Sequence, residues 1–218
     1  MSGNLISISP DNGSENWKVE LETPVGKRGL TYYPSKNKNV EGLYVASGKN
    51  IIHLDKYGKI KNTFLTGLSL LHPIVYEDIL YVATLSSGVK AYNLLTKKEI
   101  WKTSLKKNNI NSRVWSGFSF DSESKTLFVV TSNPAKDHKT LIGKNRSGDD
   151  YSVSLIALSG DNGSIKWQYK HIINDLWDFD LVGNPIIVKN VKLKNNNQSK
   201  NSVIALSKTG DVIMVDIE

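Results

Sequence analysis

The sequence contains no cysteine, so disulfides and thiolate metal sites are excluded. Its four histidines are scattered along the chain without the spacing of zinc ligands. No apolar run reaches the roughly 18 residues of a membrane-spanning helix. The first residues also lack the charged and apolar regions of a signal peptide. From these absences we expect the 218 residues to be globular and to contain no export signal.

Arginine is scarce, although the net charge is +7. Only Arg28, Arg113 and Arg146 stand among the 28 basic residues, whereas recognition of bases and phosphates relies on arginine. The lysines fall in asparagine-rich turns, such as residues 36–39 and 189–200. We therefore interpret the positive charge as solvated loops and expect no nucleic-acid partner.

A hairpin motif recurs along the chain. Residues 5–17, LISISPDNGSENW, are echoed by residues 155–167, LIALSGDNGSIKW, and more loosely by residues 89–101. Two degenerate copies, residues 51–64 and 203–216, lack the tryptophan. Each copy reads as two strands joined by a tight turn, which is typical of a β-hairpin.

The spacing of these hairpins predicts an all-β fold of propeller blades. The turn positions 13, 58, 97, 163 and 210 are separated by 45, 39, 66 and 47 residues, against a blade length of about 40–50 residues. Further strand candidates lie between the copies. We expect one partial β-propeller domain over residues 1–218, an incomplete ring of about four to five blades that the rest of a propeller must close.

Trp17, Trp101 and Trp167 each stand four residues beyond a hairpin turn. A tryptophan at a repeated position is most simply a packing device that buries its ring between adjacent blades. Its N–H group is then expected to bond a neighbouring backbone carbonyl. Trp115 is out of this register, so packing between blades does not account for it.

The segment 171–180, HIINDLWDFD, brings three carboxylates and a tryptophan into an otherwise apolar part of the chain. Strands avoid aspartate, so one interpretation is a polar loop with turn-forming aspartates. The other interpretation is a functional site. This segment alone does not decide between them.

Six short motifs together resemble the pyrroloquinoline quinone (PQQ) dehydrogenases, the eight-bladed propeller quinoproteins that oxidise alcohols and sugars. They occur in that family's order and extend through nearly the whole chain: Lys27–Tyr33, Val114–Gly117, Thr131–Pro134, Asn145–Asp149, Asp175–Asp180 with Pro185, and Ser207–Gly210.

The resemblance implies cofactor contacts at three positions. Trp115 matches the tryptophan whose ring lies against the flat quinone, and Lys208 matches the cation that contacts the quinone oxygens. Arg28 belongs to a motif near the site, with a buried ion pair as its alternative role. For Lys208 the alternative is an ordinary turn lysine. Arg146 and Asp149 match an ordered loop over the site or a polar connection.

The resemblance also implies a metal, usually Ca²⁺ with a lanthanide as the alternative. Asn133 matches its amide ligand, although an Asn-Pro turn is the simpler interpretation from the residues alone. Asp178 matches the catalytic base, which also binds the metal. Asp180, two residues on, is expected to project to the same side in an extended segment and to be a further ligand. Asp175 is interpreted as a structural residue.

The sequence departs from the family in one loop. A further metal ligand normally comes from the blade before Trp115, but here that loop is shortened to residues 86–88 and contains no carboxylate. The usual arginine of the following hairpin is Lys90. We therefore expect a weakened metal site.

Two functions follow. The first is part of a PQQ- and metal-dependent dehydrogenase of an alcohol or aldose sugar, with a quinone or cytochrome as electron acceptor and a periplasmic location, as the resemblance implies. The second is a non-catalytic propeller that acts as a scaffold, like the outer-membrane assembly propellers. Since the cofactor site needs walls from all round the ring, this polypeptide alone is predicted to be inactive.

Overall fold

The structure is a computed structural model that describes residues 3–86, 88–108, 110–134, 150–173, 175–192 and 199–217. These residues form strands, turns and loops and contain no helix, so the predicted all-β class is confirmed. Consequently, this part of the chain contains no helix with the length and apolar character that crossing a membrane requires. The chain divides into two compact units, Met1–Lys102 and Thr103–Glu218. The expectation of a single domain stays a prediction.

The first unit contains a two-stranded hairpin and two four-stranded sheets, in the orders β1-β2, β3-β4-β5-β6 and β10-β9-β8-β7. The strands are β1 (Gly3–Ile8), β2 (Glu15–Leu21), β3 (Val25–Tyr33), β4 (Gly42–Ser47), β5 (Asn50–Leu54), β6 (Ile60–Leu65), β7 (Ile74–Tyr76), β8 (Ile79–Thr84), β9 (Gly88–Asn93) and β10 (Glu99–Thr103). Four sequential strands per sheet agree with the predicted blades.

The second unit contains a short hairpin, one four-stranded sheet and one three-stranded sheet, in the orders β11-β12, β13-β14-β15-β16 and β17-β18-β19. The strands are β11 (Lys106–Lys107), β12 (Ile110–Asn111), β13 (Phe118–Asp121), β14 (Thr126–Val130), β15 (Ser154–Ser159), β16 (Ile165–Lys170), β17 (Leu181–Lys192), β18 (Ser199–Ser207) and β19 (Val212–Asp216). Phe128, Leu155 and Val203 belong to the buried apolar cluster that joins its two larger sheets.

The repeated turn has the same backbone in its three best copies. Gly13, Lys97 and Gly163 all have positive φ angles, of 74°, 61° and 74°. In each copy the N–H group of this residue donates to the carbonyl four residues earlier, at 2.8–3.0 Å. The left-handed conformation suits glycine because it has no Cβ. Lys97 adopts it too, which shows that the turn geometry is retained where the sequence motif has weakened.

The predicted role of the repeat tryptophans is confirmed for Trp17 and Trp167. The Nε1–H group of Trp17 donates to the carbonyl of Lys56, in the turn of the next sheet, at 2.9 Å. Trp167 donates in the same way to Ile217 at 3.3 Å. The indole of Trp17 also lies directly over Gly58. Each tryptophan therefore joins its hairpin to the following sheet by a hydrogen bond, and Trp17 adds a ring contact.

Replacing Gly58 by alanine should lower the free energy of unfolding by about 2–4 kcal/mol, measured by urea unfolding. An added Cβ would lie 2.8 Å from the ring of Trp17, and such overpacking adds about 1–3 kcal/mol to the roughly 1 kcal/mol cost of a left-handed alanine. Gly13→Ala is the matched control, because its φ is similar but a Cβ meets no atom within 4 Å. Equal losses in the two variants would contradict the docking role.

Candidate functional site

The loop between β16 and β17 contains the acidic segment that the sequence singles out. Asp175 accepts a hydrogen bond from the backbone N–H of Trp177 at 2.9 Å, a local turn typical of aspartate. Asp178 has a φ of 64°, which is uncommon outside glycine, asparagine and aspartate. The loop ends at Asp180, whose carbonyl accepts a hydrogen bond from the N–H of Lys208 at 3.1 Å. It is thereby tied to the β18–β19 turn.

Lys208 bridges two carboxylates. Its Nζ lies 3.0 Å from Asp178 Oδ2 and 2.9 Å from Asp180 Oδ2. The predicted convergence of the two aspartates is therefore found, but its expected cause is wrong. A left-handed residue at Asp178, not an extended segment, brings both carboxylates to one side.

The two carboxylates lie in different surroundings. Asp180 is 4% exposed, whereas the side chain of Asp178 is 52% exposed. Burial raises the pKa of Asp180 above its usual value, although the N–H of Asn133 and the ammonium of Lys208 oppose that shift. Burial by itself would lower the pKa of Lys208, but its hydrogen bonds to both aspartates outweigh this effect and raise the pKa. Lys208 is therefore held as a cation.

Asn133 lies at the buried end of this network. Its backbone N–H donates to Asp180 Oδ1 at 2.9 Å, and its side-chain Nδ2 donates to Asp175 Oδ2 at 2.6 Å. Its Oδ1 is buried and has no hydrogen-bond partner among the described residues. A buried amide oxygen left unpaired costs free energy unless something binds it. This oxygen is therefore a candidate ligand for a hard cation.

Trp115 adds an aromatic ring to the cluster, beside Lys208. The Nζ of Lys208 is 5.3 Å from the centre of its ring, within the range of a cation–π contact. The neighbouring residues of the motif explain how this tryptophan is held. Ser116 Oγ donates to the carbonyl of Leu181 at 3.0 Å, and a Cβ at Gly117 would lie 2.3 Å from the carbonyl oxygen of Gly183. Only glycine permits that close approach to β17.

The structure thus brings together five of the six predicted site residues: Trp115, Asn133, Asp178, Asp180 and Lys208. The sixth, Arg28, is an exposed residue of β3 in the first unit, where it forms an isolated parallel bridge with Leu71. Its exposure argues against the alternative of a buried ion pair. Its cofactor contact stays a prediction.

Some predicted features are not placed. Arg146 and Asp149, with their motif 145–149, lie outside the described residues. In the first unit, the shortened loop joins β8 to β9, and Thr84 pairs directly with Gly88. None of the described residues between them has a carboxylate side chain; residue 87, a serine, lies outside the described residues.

No group of three or more His, Cys, Asp or Glu side chains able to hold a metal occurs in the described part of the chain.

The antiparallel sheets with their interlocking tryptophans define a chain of propeller blades. It aligns over 98% of its length with the crystal structure of quinohemoprotein alcohol dehydrogenase from Comamonas testosteroni, with a TM-score of 0.81 and 18% identity, and covers 38% of that structure. The predicted fold class, all-β with propeller blades, is confirmed.

Residues 103–218 match the family model of the PQQ glucose/ethanol/alcohol dehydrogenase β-propeller domain. The chain is 29% identical to the quinate/shikimate dehydrogenase (quinone) of Acinetobacter baylyi, with 98% of this chain and 34% of that protein covered. It is 25% identical to the quinoprotein glucose dehydrogenase of Escherichia coli, with coverages of 98% and 26%. The chain belongs to the PQQ dehydrogenase propeller family and spans about a third or less of these relatives' length.

An ion pair in the same unit fixes the strand that leads into the acidic loop. Lys170, the last residue of β16, lies 2.6 Å from Asp150 Oδ1, and Asp150 is 1% exposed. Burial alone would raise the pKa of Asp150, but its hydrogen bonds from Lys170 and Ser152 outweigh burial and lower the pKa. Stability from this pair is therefore present above the unfolded-state pKa and lost as the pH falls through the folded-state pKa.

Asp150→Asn should lower the free energy of unfolding at pH 7 by about 2–3 kcal/mol, less than a fully buried pair because Lys170 is partly exposed. Below about pH 4, the free energy of unfolding of the variant should also fall less steeply than that of the wild type. Urea unfolding at several pH values measures both effects. Asp161→Asn is the control, since its pair with Lys125 is long and exposed. An unchanged acid profile in Asp150→Asn would contradict the pKa assignment.

Proposed function

We propose that this chain is part of a PQQ- and metal-dependent dehydrogenase that oxidises the hydroxyl group of an alcohol, a sugar or a related hydroxy compound. The observation that carries the proposal is the convergence of Trp115, Asp178 and Asp180 on Lys208, with Asn133 hydrogen-bonded to Asp180. A scaffold has no need for one cluster that combines an aromatic ring, a cation and a buried amide oxygen without a partner among the described residues. Two of the relatives carry the names quinate/shikimate dehydrogenase (quinone) and quinoprotein glucose dehydrogenase.

The residues present fit a hard cation. Asn133 offers a buried oxygen without a partner among the described residues, and the aspartates offer carboxylate oxygens. Both oxygens of Asp180 already accept one hydrogen bond each, but a carboxylate has about four lone-pair sites. Asn133, Asp178 and Asp180 would therefore hold the metal, for which we propose Ca²⁺. The chemistry that bound PQQ and its metal would supply there is an electrophilic carbonyl for hydride from the substrate carbon.

Asp178 is the proposed general base. Its carboxylate is half exposed and therefore accessible to a substrate hydroxyl, unlike that of Asp180. The ammonium of Lys208 at 3.0 Å favours its ionised form, and a base must be ionised to accept the hydroxyl proton. Asp178 then takes the proton while Asp180 remains buried.

Lys208 and Trp115 would orient the cofactor. An ammonium that is partly buried and held by two carboxylates can stabilise negative charge on a neighbouring oxygen without rearranging. The ring of Trp115 offers a flat apolar face, and its serine and glycine neighbours fix that face against β17. We assign Lys208 and Trp115 to cofactor binding.

We further propose that the electron acceptor is a quinone or a cytochrome and that the protein is periplasmic.

The second candidate is a non-catalytic propeller. It is favoured by the hairpin between β8 and β9, whose described residues contain no carboxylate where the resemblance implies a metal ligand. The tryptophan docking is common to both functions and does not separate them. Binding of PQQ does separate them.

The full-length protein should bind PQQ only when Ca²⁺ is present, because the metal site lies beside the proposed cofactor contacts. Titration with PQQ, followed by absorbance with and without Ca²⁺, measures this binding. Dye-linked oxidation of alcohols, aldoses and quinate then identifies the substrate class. Failure to bind PQQ in the presence of Ca²⁺ would favour the scaffold and contradict the dehydrogenase.

Asp178→Asn should lower kcat by about 10²–10⁴-fold, the usual contribution of a general base. PQQ binding should persist, because the new amide still offers an oxygen as a metal ligand and Lys208 still pairs with Asp180. Asp211→Asn is the control, since it removes a 61%-exposed carboxylate from the same β18–β19 turn. Wild-type turnover in Asp178→Asn would exclude this residue as the base.

A further inference from the structure

The side chains of Asn133 and Asp175 form a short hydrogen bond inside the protein. Asn133 Nδ2 donates to Asp175 Oδ2 at 2.6 Å, and the two residues are 6% and 5% exposed. This contact joins the end of β14 to the acidic loop across 42 positions of sequence. A buried hydrogen bond to a charged acceptor is among the stronger kinds.

The chemistry of the pair fixes which way the amide points. A carboxylate only accepts hydrogen bonds, so the NH₂ group of Asn133 must face Asp175. Its Oδ1 is then turned away from Asp175, and this is the buried oxygen that has no partner among the described residues. Without Asp175, the amide could rotate by 180° and present donors where an oxygen is needed.

Asp175 is itself held in place by its other oxygen. Oδ1 accepts from the N–H of Trp177 at 2.9 Å while Oδ2 accepts from Asn133. Both partners donate, so the position requires two acceptor atoms. Asparagine has only one oxygen and would present its NH₂ group to one of these donors.

We propose that Asp175 is a positioning residue for metal binding: it orients the amide of Asn133 so that Oδ1 is available as a ligand. This inference rests on the proposed function and deepens it, since it assigns a role to an acidic residue that would not itself be a metal ligand. Residues that orient metal ligands typically contribute 10–100-fold to affinity. The role differs from that of Asp178 and Asp180, which supply oxygens themselves.

Asp175→Asn in the full-length protein should weaken Ca²⁺ binding by about 10–100-fold, measured by isothermal titration calorimetry without PQQ or substrate. If the new oxygen stays with Trp177, the new NH₂ group faces Asn133 and favours the rotated amide. Unchanged Ca²⁺ affinity would contradict the proposal. A fall in the thermal midpoint without Ca²⁺, together with unchanged Ca²⁺ affinity, would show a merely structural role.

A second variant separates orientation from charge. Asp175→Glu keeps the charge but is too long to hold both donors, so it should also weaken Ca²⁺ binding. Wild-type affinity in this variant, with a loss in Asp175→Asn, would mean that only charge matters and would overturn the proposal.

The exchanged pair N133D/D175N should restore affinity to within about threefold of wild type. The amide introduced at position 175 would accept from Trp177 and donate to one oxygen of the carboxylate introduced at position 133. The second oxygen of that carboxylate would take the place of the original Oδ1. If Asp175→Asn fails to fold, the exchanged pair decides: a folded variant that does not bind Ca²⁺ contradicts the proposal. Absence of Ca²⁺ binding in the unaltered protein would instead contradict the proposed function itself.

Discussion

The buried carboxylate of Asp180 is the constraint on which the site depends. Removing an ionised carboxylate from water costs several kcal/mol unless charges and hydrogen bonds compensate. Here compensation comes from two separate segments, the N–H of Asn133 after β14 and the ammonium of Lys208 in the β18–β19 turn. Because each donor must reach the same carboxylate, the ends of three strands are held together. The site residues are therefore assembled by the need to satisfy one buried charge.

The blade packing supplies the rigid frame for this assembly. Trp167 bonds the carbonyl of Ile217, and Phe128 and Val203 pack in the cluster that joins the two larger sheets of the second unit. A buried ion pair keeps its geometry only when the strands that carry it are fixed. The repeat that forms the fold thus also fixes the distance between the acidic loop and Lys208.

The sequence predicts which residues form the site better than it predicts how they are arranged. Repeat spacing identifies the blades, and the six motifs select Trp115, Asn133 and Lys208, which the structure brings together. The left-handed backbone at Asp178 escapes prediction because alternation along a strand presumes an extended chain. The bond between Asn133 and Asp175 also escapes it, since 42 positions separate them and nothing local links the two. The only sequence signal was an aspartate two residues before a tryptophan, which also fits an ordinary turn.

The charges of the cluster explain why the orientation of one amide matters. The cluster combines three acidic side chains, those of Asp175, Asp178 and Asp180, with the single ammonium of Lys208, and this surplus of acidic groups favours a cation. Lys208 already occupies one oxygen of each of Asp178 and Asp180, and a neutral amide provides the buried oxygen that has no partner among the described residues. A metal must therefore share its carboxylates with an ammonium. Because Lys208 and the metal would compete for the same carboxylates, the amide oxygen of Asn133 matters. If it faces the metal, the cluster can bind a cation; if it does not, the cluster is only an ion pair between Lys208 and the aspartates.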